Sequence, residues 1–241
     1  MSTLHSFANT TLYLIPVPLA TGNPLYHLPP VTIEIIGQLN DFIVENKRSA
    51  VRFLTQLRQP HEINSIRFYT YNEHSMDYEF SQCMEPLNHG RNTGLISEAG
   101  APCIADPGSK LVAAAHSKGI RVMPLTGPSS IFLALMASGF NGQCFTFKGY
   151  IPVNRQERVQ CIRKMESEAT NKQETQIFIE TPYRNKSLLD TLTSACRPYT
   201  MLCIAIDIGS RDEQIITRTI QQWKTEPVDI NKRLAVFLLG Q

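Results

Sequence analysis

The sequence predicts an α/β protein made of two α/β domains, and three observations carry that reading. Short apolar runs alternate with longer amphipathic ones along the whole chain, the pattern of strands joined by helices in mostly parallel sheets. Roughly ten of the apolar runs have the length of a strand rather than a helix. The chain of 241 residues also exceeds one ordinary domain of about 100–200 residues. Gly- and Pro-rich junctions place the boundary near Met123, giving domains over 1–122 and 123–241.

In order, TLYLIPVP (11–18) reads as a buried strand, followed by the loop LATGNPLYHLPP (19–30). VTIEIIGQL (31–39) has helical character and DFIVE (41–45) strand character. KRSAVRFLTQL sets Ala50, Val51, Phe53, Leu54 and Leu57 at helical spacing;. SIRFYTY (65–71) is a strand, MDYEFSQCMEPL (76–87) a helix and TGLISEA (93–99) a strand. DPGSKLVAAAHSKG (106–119) enters a helix on Asp-Pro and leaves it on Gly119;. IRVMPL (120–125) is a strand, IFLALMASG (131–139) an apolar helix and FTFKGYI (145–151) a strand. A polar helix over about 154–171 is followed by the strand TQIFIE (175–180), the helix YRNKSLLDTLTSA (183–195) and the strand TMLCIAID (200–207). EQIITRTI (213–220) reads as an antiparallel strand, and RLAVFLLG (233–240) is the last strand.

Composition excludes several classes. With 42% hydrophobic and 18% charged residues, the chain reads as soluble and globular. A net charge of +2 makes no overall demand for nucleic acid, though a total can hide a local basic face. The first residues show no basic segment leading into an apolar one, and no apolar run nears about 18 residues. A cytoplasmic protein without a membrane partner is expected. Cys83, Cys103, Cys144, Cys161, Cys196 and Cys203 are scattered, the pattern of reduced cysteines. The sequons at Asn9 and Asn185 then carry no weight. His5, His27, His61, His74, His89 and His116 never fall at metal-ligand spacing, so no metal site is expected.

Neither a P-loop, a G-x-G-x-x-G fingerprint, a G-x-S-x-G elbow nor an H-E-x-x-H helix is present;. Three loops at the ends of strands remain: PVPLATGN (16–23), SEAGAPCIADPG (97–108) and PLTGPSS (124–130). Ligands of open parallel sheets gather beyond the carboxyl ends of strands. Glycine lets backbone approach a ligand closely, and proline stiffens that approach. Ligand contact through main-chain groups is one reading of these loops, and tight strand-to-helix turns are the other.

LISEAGAPCIADPGSKLV, then GIRVMPLTGPSSIFLALMASGF and FKGYIP, resembles the tetrapyrrole methylase superfamily. Within it, the likeness is to the small-subunit ribosomal RNA ribose methyltransferase I group. That resemblance implies two α/β domains with a cofactor cleft between them, S-adenosylmethionine as cofactor, and a homodimer. By matching positions it assigns Pro18 to the first loop. Ser97, Ala99, Gly100, Pro102, Ile104 and Ala105 fall in the cofactor loop, with Glu98 where the group has Asp, followed by Asp106, Pro107 and Gly108. Gly127, Pro128 and Ser129 form the Gly-Pro-Ser turn. Glu180, Pro182 and Arg184 match F-x-E-x-P-x-R, and Ala205 and Asp207 match Ala-x-Glu at the adenine wall. The group's Ala-Glu-Asp-Thr-Arg reads VENKR here, keeping Glu45 and Arg48 but not Asn46 and Lys47. Its His-x-His-Asn-Glu reads YTYNE, keeping Asn72 and Glu73. The cofactor half is thus kept better than the substrate half.

Methyl transfer from a sulfonium is an in-line displacement, so an enzyme chiefly positions the acceptor and excludes water. A hydroxyl acceptor must also lose a proton. Glu45, Glu73, Glu98 and Asp106 are the carboxylates at strand ends, with Glu45 the first choice as base. Asp106 also reads as a helix N-cap. Arg48 and Arg184 suit a phosphate or carboxylate, or else a surface ion pair. Tyr69 and Tyr71 suit base stacking or plain strand packing. Three functions stay open: methylation of small-subunit ribosomal RNA, methylation of a tetrapyrrole or other small molecule, and cofactor binding without catalysis.

Overall fold

Helices between short apolar strands force the first half of the chain into a parallel sheet. In this computed structural model, which describes residues 10–20, 23–57, 63–226 and 228–241, β1 (Thr11–Ile15), β2 (Asp41–Val44), β3 (Arg67–Thr70), β4 (Thr93–Ile96) and β5 (Arg121–Pro124) lie in the order β3-β2-β4-β1-β5. Every pairing among them is parallel. The crossovers that parallel strands require carry α1 (Pro30–Gly37), α2 (Lys47–Gln56), α3 (Asp77–Asn88) and α4 (Ser109–Ser117).

Alternation along the strands splits the core between two faces. Ile15, Phe42, Val44 and Ile96 pack with Ile36 of α1 and Phe53 and Leu54 of α2. Leu12, Ile43 and Leu95 pack with Met84 and Leu87 of α3 and Leu111 of α4. Gly94 makes the first face possible, since a Cβ there would lie 2.5 Å from Ile15 Cδ1 and 2.9 Å from Phe42 Cδ1. Ile96 is in register with both Ile15 and Val44, so β1, β2 and β4 end level. From that level β1 and β2 lead to the α1/α2 face, while β4, between them, leads to the α4 face. Such a divergence of connections opens a crevice above the sheet.

The chain divides into compact units at Met1–Ser129 and Ser130–Gln241. The expected boundary after residue 122 is corrected by β5: Val122 and Met123 pair with Leu12 and Tyr13 of β1, so a cut there would break a strand.

The second unit comprises α5 (Ser130–Ser138), β6 (Phe145–Tyr150), α6 (Arg155–Lys172), β7 (Thr175–Ile179), α7 (Asn185–Ala195), β8 (Met201–Ile206), β9 (Gln214–Thr219), α8 (Ile220–Thr225) and β10 (Ala235–Gly240). Its sheet runs β6-β7-β10-β8-β9. Only β6 and β7 pair in parallel; the other neighbours are antiparallel. The expectation of mostly parallel sheets therefore fails in this unit. Residues 207–213 are too few for a crossover of a dozen or more, so β9 folds straight back on β8. One face of the sheet, with Phe178, Ile204 and Phe237, packs against Ile162 and Met165 of α6 and Leu188 and Leu192 of α7. The short α8 has no apolar period that would announce it. It is fixed by reciprocal capping between Thr219 and Gln222 and by Trp223, whose buried Nε1 donates to Leu202 O at 2.9 Å.

Among the described residues no helix is long and apolar enough to cross a membrane, and the six cysteines are unbridged. Asn185 is buried, with Nδ2 donating to Arg233 O at 2.6 Å. The amino-terminal residues, Asn9, His5 and His61 lie outside the described residues.

Candidate active site

The loops after β1, β4 and β5 are tied together above the first sheet. Val17 and Gly100 exchange backbone hydrogen bonds of 2.9 Å in both directions. Gly100 has φ +70°, and a Cβ there would meet Leu19 Cδ2 at 3.0 Å. Farther along the same loop Cys103 and Ala105 adopt φ 67° and 60°, a conformation that costs ordinary residues energy and concentrates at functional sites. Asp106 holds the loop in that shape, accepting from Cys103 N–H and Gly108 N–H, each at 2.8 Å. The helix begins at Ser109, with Gly108 as its capping residue. Asp106 is therefore the clasp of the loop and not the N-cap of α4. Cys103 is no nucleophile here, since burial, followed by the Asp106 charge, pushes its thiol up to about 12;.

The predicted cofactor residues of this loop divide by exposure. Ser97 and Pro102 are buried, while Ala99, Ile104 and Ala105 are exposed. The Ser97 hydroxyl makes only long contacts, 3.5 and 3.4 Å, to the carbonyls of Ala99 and Gly100. The amides of Ile104 and Ala105 donate to no described group, which leaves them free for a ligand. Pro18 is half-buried, on the loop that carries Val17.

Gly127 has a packing role. A Cβ there would lie 2.2 Å from Pro16 Cγ, so glycine is required for the β5 loop to pack on the β1 loop. The same loop is held by Leu125 N–H on Leu14 O at 2.9 Å and by the Thr32 hydroxyl on Thr126 O at 3.0 Å. Pro128 and Ser129 follow, half-buried. Exposed main chain at the ends of adjacent strands, without bulky side chains over it, fits a cofactor recognised through backbone groups.

Glu45 follows β2 directly and is half-buried. Burial raises its pKa above the ordinary carboxylate value, and the charges of Asp106, Glu98 and Glu73 add to the rise; a hydrogen bond from the Glu98 backbone opposes it. Ser49 on α2 donates its hydroxyl to Glu98 Oε2 at 2.9 Å. Nothing in the sequence singled out Ser49, because one serine on an amphipathic helix carries no pattern. Asn46 caps α2, accepting from Arg48 N–H at 2.8 Å and Ser49 N–H at 3.4 Å. It thus keeps the acceptor that the group's Asp would offer. Arg48 is exposed on the first turn, with no side-chain partner among the described residues.

Other candidates have structural occupations. Lys47 Nζ sits 5.5 Å from the Phe68 ring centroid. The Tyr69 hydroxyl donates to Asp41 at 3.0 Å, and buried Tyr71 meets Phe80 edge-on at 5.8 Å. The Tyr69 hydroxyl is thus spent on Asp41, and Tyr71 is buried against Phe80.

In the second unit, buried Glu180 accepts from both the Nε and Nη2 of Arg184, so this arginine is bound internally rather than free for a ligand. Pro182 is half-buried, and its carbonyl accepts from Lys232 N–H at 3.0 Å. Ala205 is 1% exposed within β8 and presents no surface to a ligand. Asp207 accepts from Arg233 Nε at 2.6 Å and Leu234 N–H at 2.9 Å, pinning the turn after β8.

Residues 14–223 match the family described as Tetrapyrrole (Corrin/Porphyrin) Methylases. A protein of Halalkalibacterium halodurans named Ribosomal RNA small subunit methyltransferase I is 32% identical over 201 residues, covering 79% of this chain and 64% of that protein. The chain thus spans just under two thirds of that relative's length. A protein of the same name from Bacillus subtilis is 32% identical over 219 residues, covering 89% of this chain and 70% of its own. Among solved structures, the methyltransferase CobJ superposes with a TM-score of 0.62 at 16% identity, over 96% of this chain and 93% of that one, a likeness of fold. With the match running through both units and all three tied loops, the chain belongs to the tetrapyrrole (corrin/porphyrin) methylase family, in the group of proteins named ribosomal RNA small subunit methyltransferase I.

Proposed function

We propose that this chain is an S-adenosylmethionine-dependent methyltransferase that modifies a ribose 2′-hydroxyl of small-subunit ribosomal RNA. The observation that carries the reading is the half-buried Glu45, its pKa raised, at the strand ends where strained, backbone-exposing loops gather. The names of the relatives support RNA as the acceptor.

Backbone groups of Ala99, Ile104 and Ala105 would hold the cofactor, with Gly100 shaping the loop and Pro18, Pro128 and Ser129 its surroundings. When bound, the cofactor supplies an electrophilic methyl group. Glu45 accepts the proton of the attacking hydroxyl, and its raised pKa suits a base better than an ordinary carboxylate does. Arg48, unpaired at the start of α2, holds a neighbouring phosphate of the RNA. A homodimer in the cytoplasm belongs to the same reading, and sedimentation of the purified protein tests the dimer.

Tritium transfer from labelled cofactor, offered in parallel to small ribosomal subunits, free RNA and a porphyrinoid mixture, tests the function. Label in the small-subunit RNA, lost on nuclease treatment and mapped to one ribose, is the expected result. Label only in the porphyrinoids transfers the reading to a small acceptor.

A further inference from the structure

The second unit carries a depression of about 280 Å³ that the proposed reaction does not use. Arg163, Glu166, Ser167, Thr170 and Asn171 line it, spaced three and four apart so that they share one face of α6. This is the polar face of α6, exposed at Arg163, Ser167 and Asn171 and buried at Glu166, while Ile162, Met165 and Ala169 face the core. Ala195 at the end of α7 and Arg197, in the turn between α7 and β8, complete the lining.

The turn is fixed by Glu166, whose Oε1 accepts Arg197 N–H at 2.7 Å and the Thr200 hydroxyl at 2.5 Å. Arg163 and Arg197 are exposed, and neither guanidinium is paired with any described group. Asn171 Nδ2 donates to Ser167 Oγ at 3.0 Å, which leaves the Ser167 hydroxyl proton available. Three features oppose an anion here: the Glu166 carboxylate, and the carbonyl ends of α6 and α7, each worth about half a negative charge;. Against two guanidinium groups they leave the depression near neutral, so an anion is held by direct contact with the guanidinium forks and not by a positive field;. It therefore offers two planar forks, a hydroxyl and an amide to a group with several acceptor oxygens.

We infer that this depression is a docking site for an RNA phosphodiester, separate from the methyl-transfer site and serving to anchor the substrate; this rests on the proposed RNA acceptor. Arginine suits the task because its fork matches two phosphate oxygens at once. Since both guanidinia are already solvated, binding costs little desolvation and depends on salt through released counterions.

The test is fluorescence anisotropy of a labelled single-stranded RNA over a range of potassium chloride concentrations, with wild-type protein and an Arg163→Gln/Arg197→Gln variant. The variant is expected to bind about tenfold more weakly. The slope of log affinity against log salt should fall by roughly 0.7 for each phosphate that the variant no longer neutralises. Melting shifts with S-adenosylhomocysteine should not change. A second variant, Arg155→Gln/Lys186→Gln, removes equal charge elsewhere on the unit and should leave the slope as it is. Unchanged affinity and slope in a folded Arg163→Gln/Arg197→Gln variant overturn the inference. So does an equal weakening in the Arg155→Gln/Lys186→Gln variant, which would show a diffuse charge effect. Failure of the proposed function is read separately, as absence of tritium transfer by the wild-type protein.

Discussion

At the amino end of the first sheet, Asp41 accepts from Arg67 Nε and Nη2 at 2.7 and 2.6 Å and from the Tyr69 hydroxyl at 3.0 Å, with Arg91 Nε 3.4 Å away. At the carboxyl end of the same strand, Glu45 meets the charges of Asp106, Glu98 and Glu73, and no described cation pairs with it. Burial pushes both carboxyls up. For Asp41 the hydrogen bonds of Arg67 and Tyr69, with the charges of Arg67 and Arg91, outweigh it and leave the pKa lowered. For Glu45 the neighbouring carboxylates add to burial, and the pKa is raised. One strand thus carries an acid satisfied for stability at one end and an acid held under repulsion at the other. Local choices that oppose stability tend to mark functional sites.

Breaking the unsatisfied end should have the largest effect on activity. Glu45→Gln is expected to lower turnover by about 10²- to 10⁴-fold, the range for removal of a general base. The melting shift with S-adenosylhomocysteine should stay the same. Stability should hold or rise. A raised folded pKa contributes stability below the unfolded value and loses it as pH rises through the folded one, so ionised Glu45 is a cost at neutral pH. Turnover and thermal melting of the same preparation check both halves. A variant with full activity would remove Glu45 from the chemistry.

The satisfied end should answer in stability alone. Asp41→Asn removes the buried carboxylate and leaves Arg67, whose side chain is half exposed, without its partner, at a cost of about 1–3 kcal/mol. The lowered folded pKa means the contribution is complete above the unfolded value near 4 and is lost as pH falls through the folded one. The gap between wild type and variant in urea denaturation should therefore be widest near neutral pH and narrow in acid. A gap independent of pH would count against the ion pair as its source.

The same contrast explains what could be read from the sequence. Strands and helices were legible because periodicity records which side chains are buried, as for Phe53 and Leu54 on α2 or the alternate faces of Phe42 and Ile43 in β2. The loops at strand ends were legible through their small residues, and the resemblance located Glu45. What the sequence concealed is pairing across long distances. Nothing near Asp41 announces Arg67 and Arg91 as its partners, and nothing near Tyr69 shows that its hydroxyl is spent on Asp41. EQIITRTI was legible as an antiparallel strand, but the antiparallel place of β10 was hidden because RLAVFLLG looks alike in either direction; only its pairing between β7 and β8 decides. The burial of Ala205 was hidden for a related reason, since position in a motif does not report burial.

A smaller effect should separate packing from ligand binding among the tied loops. Gly127→Ala drives a methyl group into the Pro16 ring and should cost about 1–3 kcal/mol, as overpacking does. The loss should appear in the melting temperature of the free protein. If the free protein melts normally and only the response to S-adenosylhomocysteine disappears, Gly127 is a ligand contact and not a packing glycine.

The smallest effect lies at Asn46, and it sharpens the contrast between the two ends most finely. Asn46→Ala removes the cap of α2 and should cost about 1 kcal/mol. Asn46→Asp restores the residue usual in the group and keeps an acceptor for Arg48 N–H and Ser49 N–H, so its melting temperature should stay close to that of the wild type. It also sets a further negative charge next to Glu45. The pKa of Glu45 should then rise again, since a like charge disfavours ionisation, and the acid limb of the rate profile should move to higher pH. Asn46→Ala should leave that limb in place. Rate profiles of the three proteins decide the matter, and an acid limb that ignores the added aspartate would show that Glu45 does not set it.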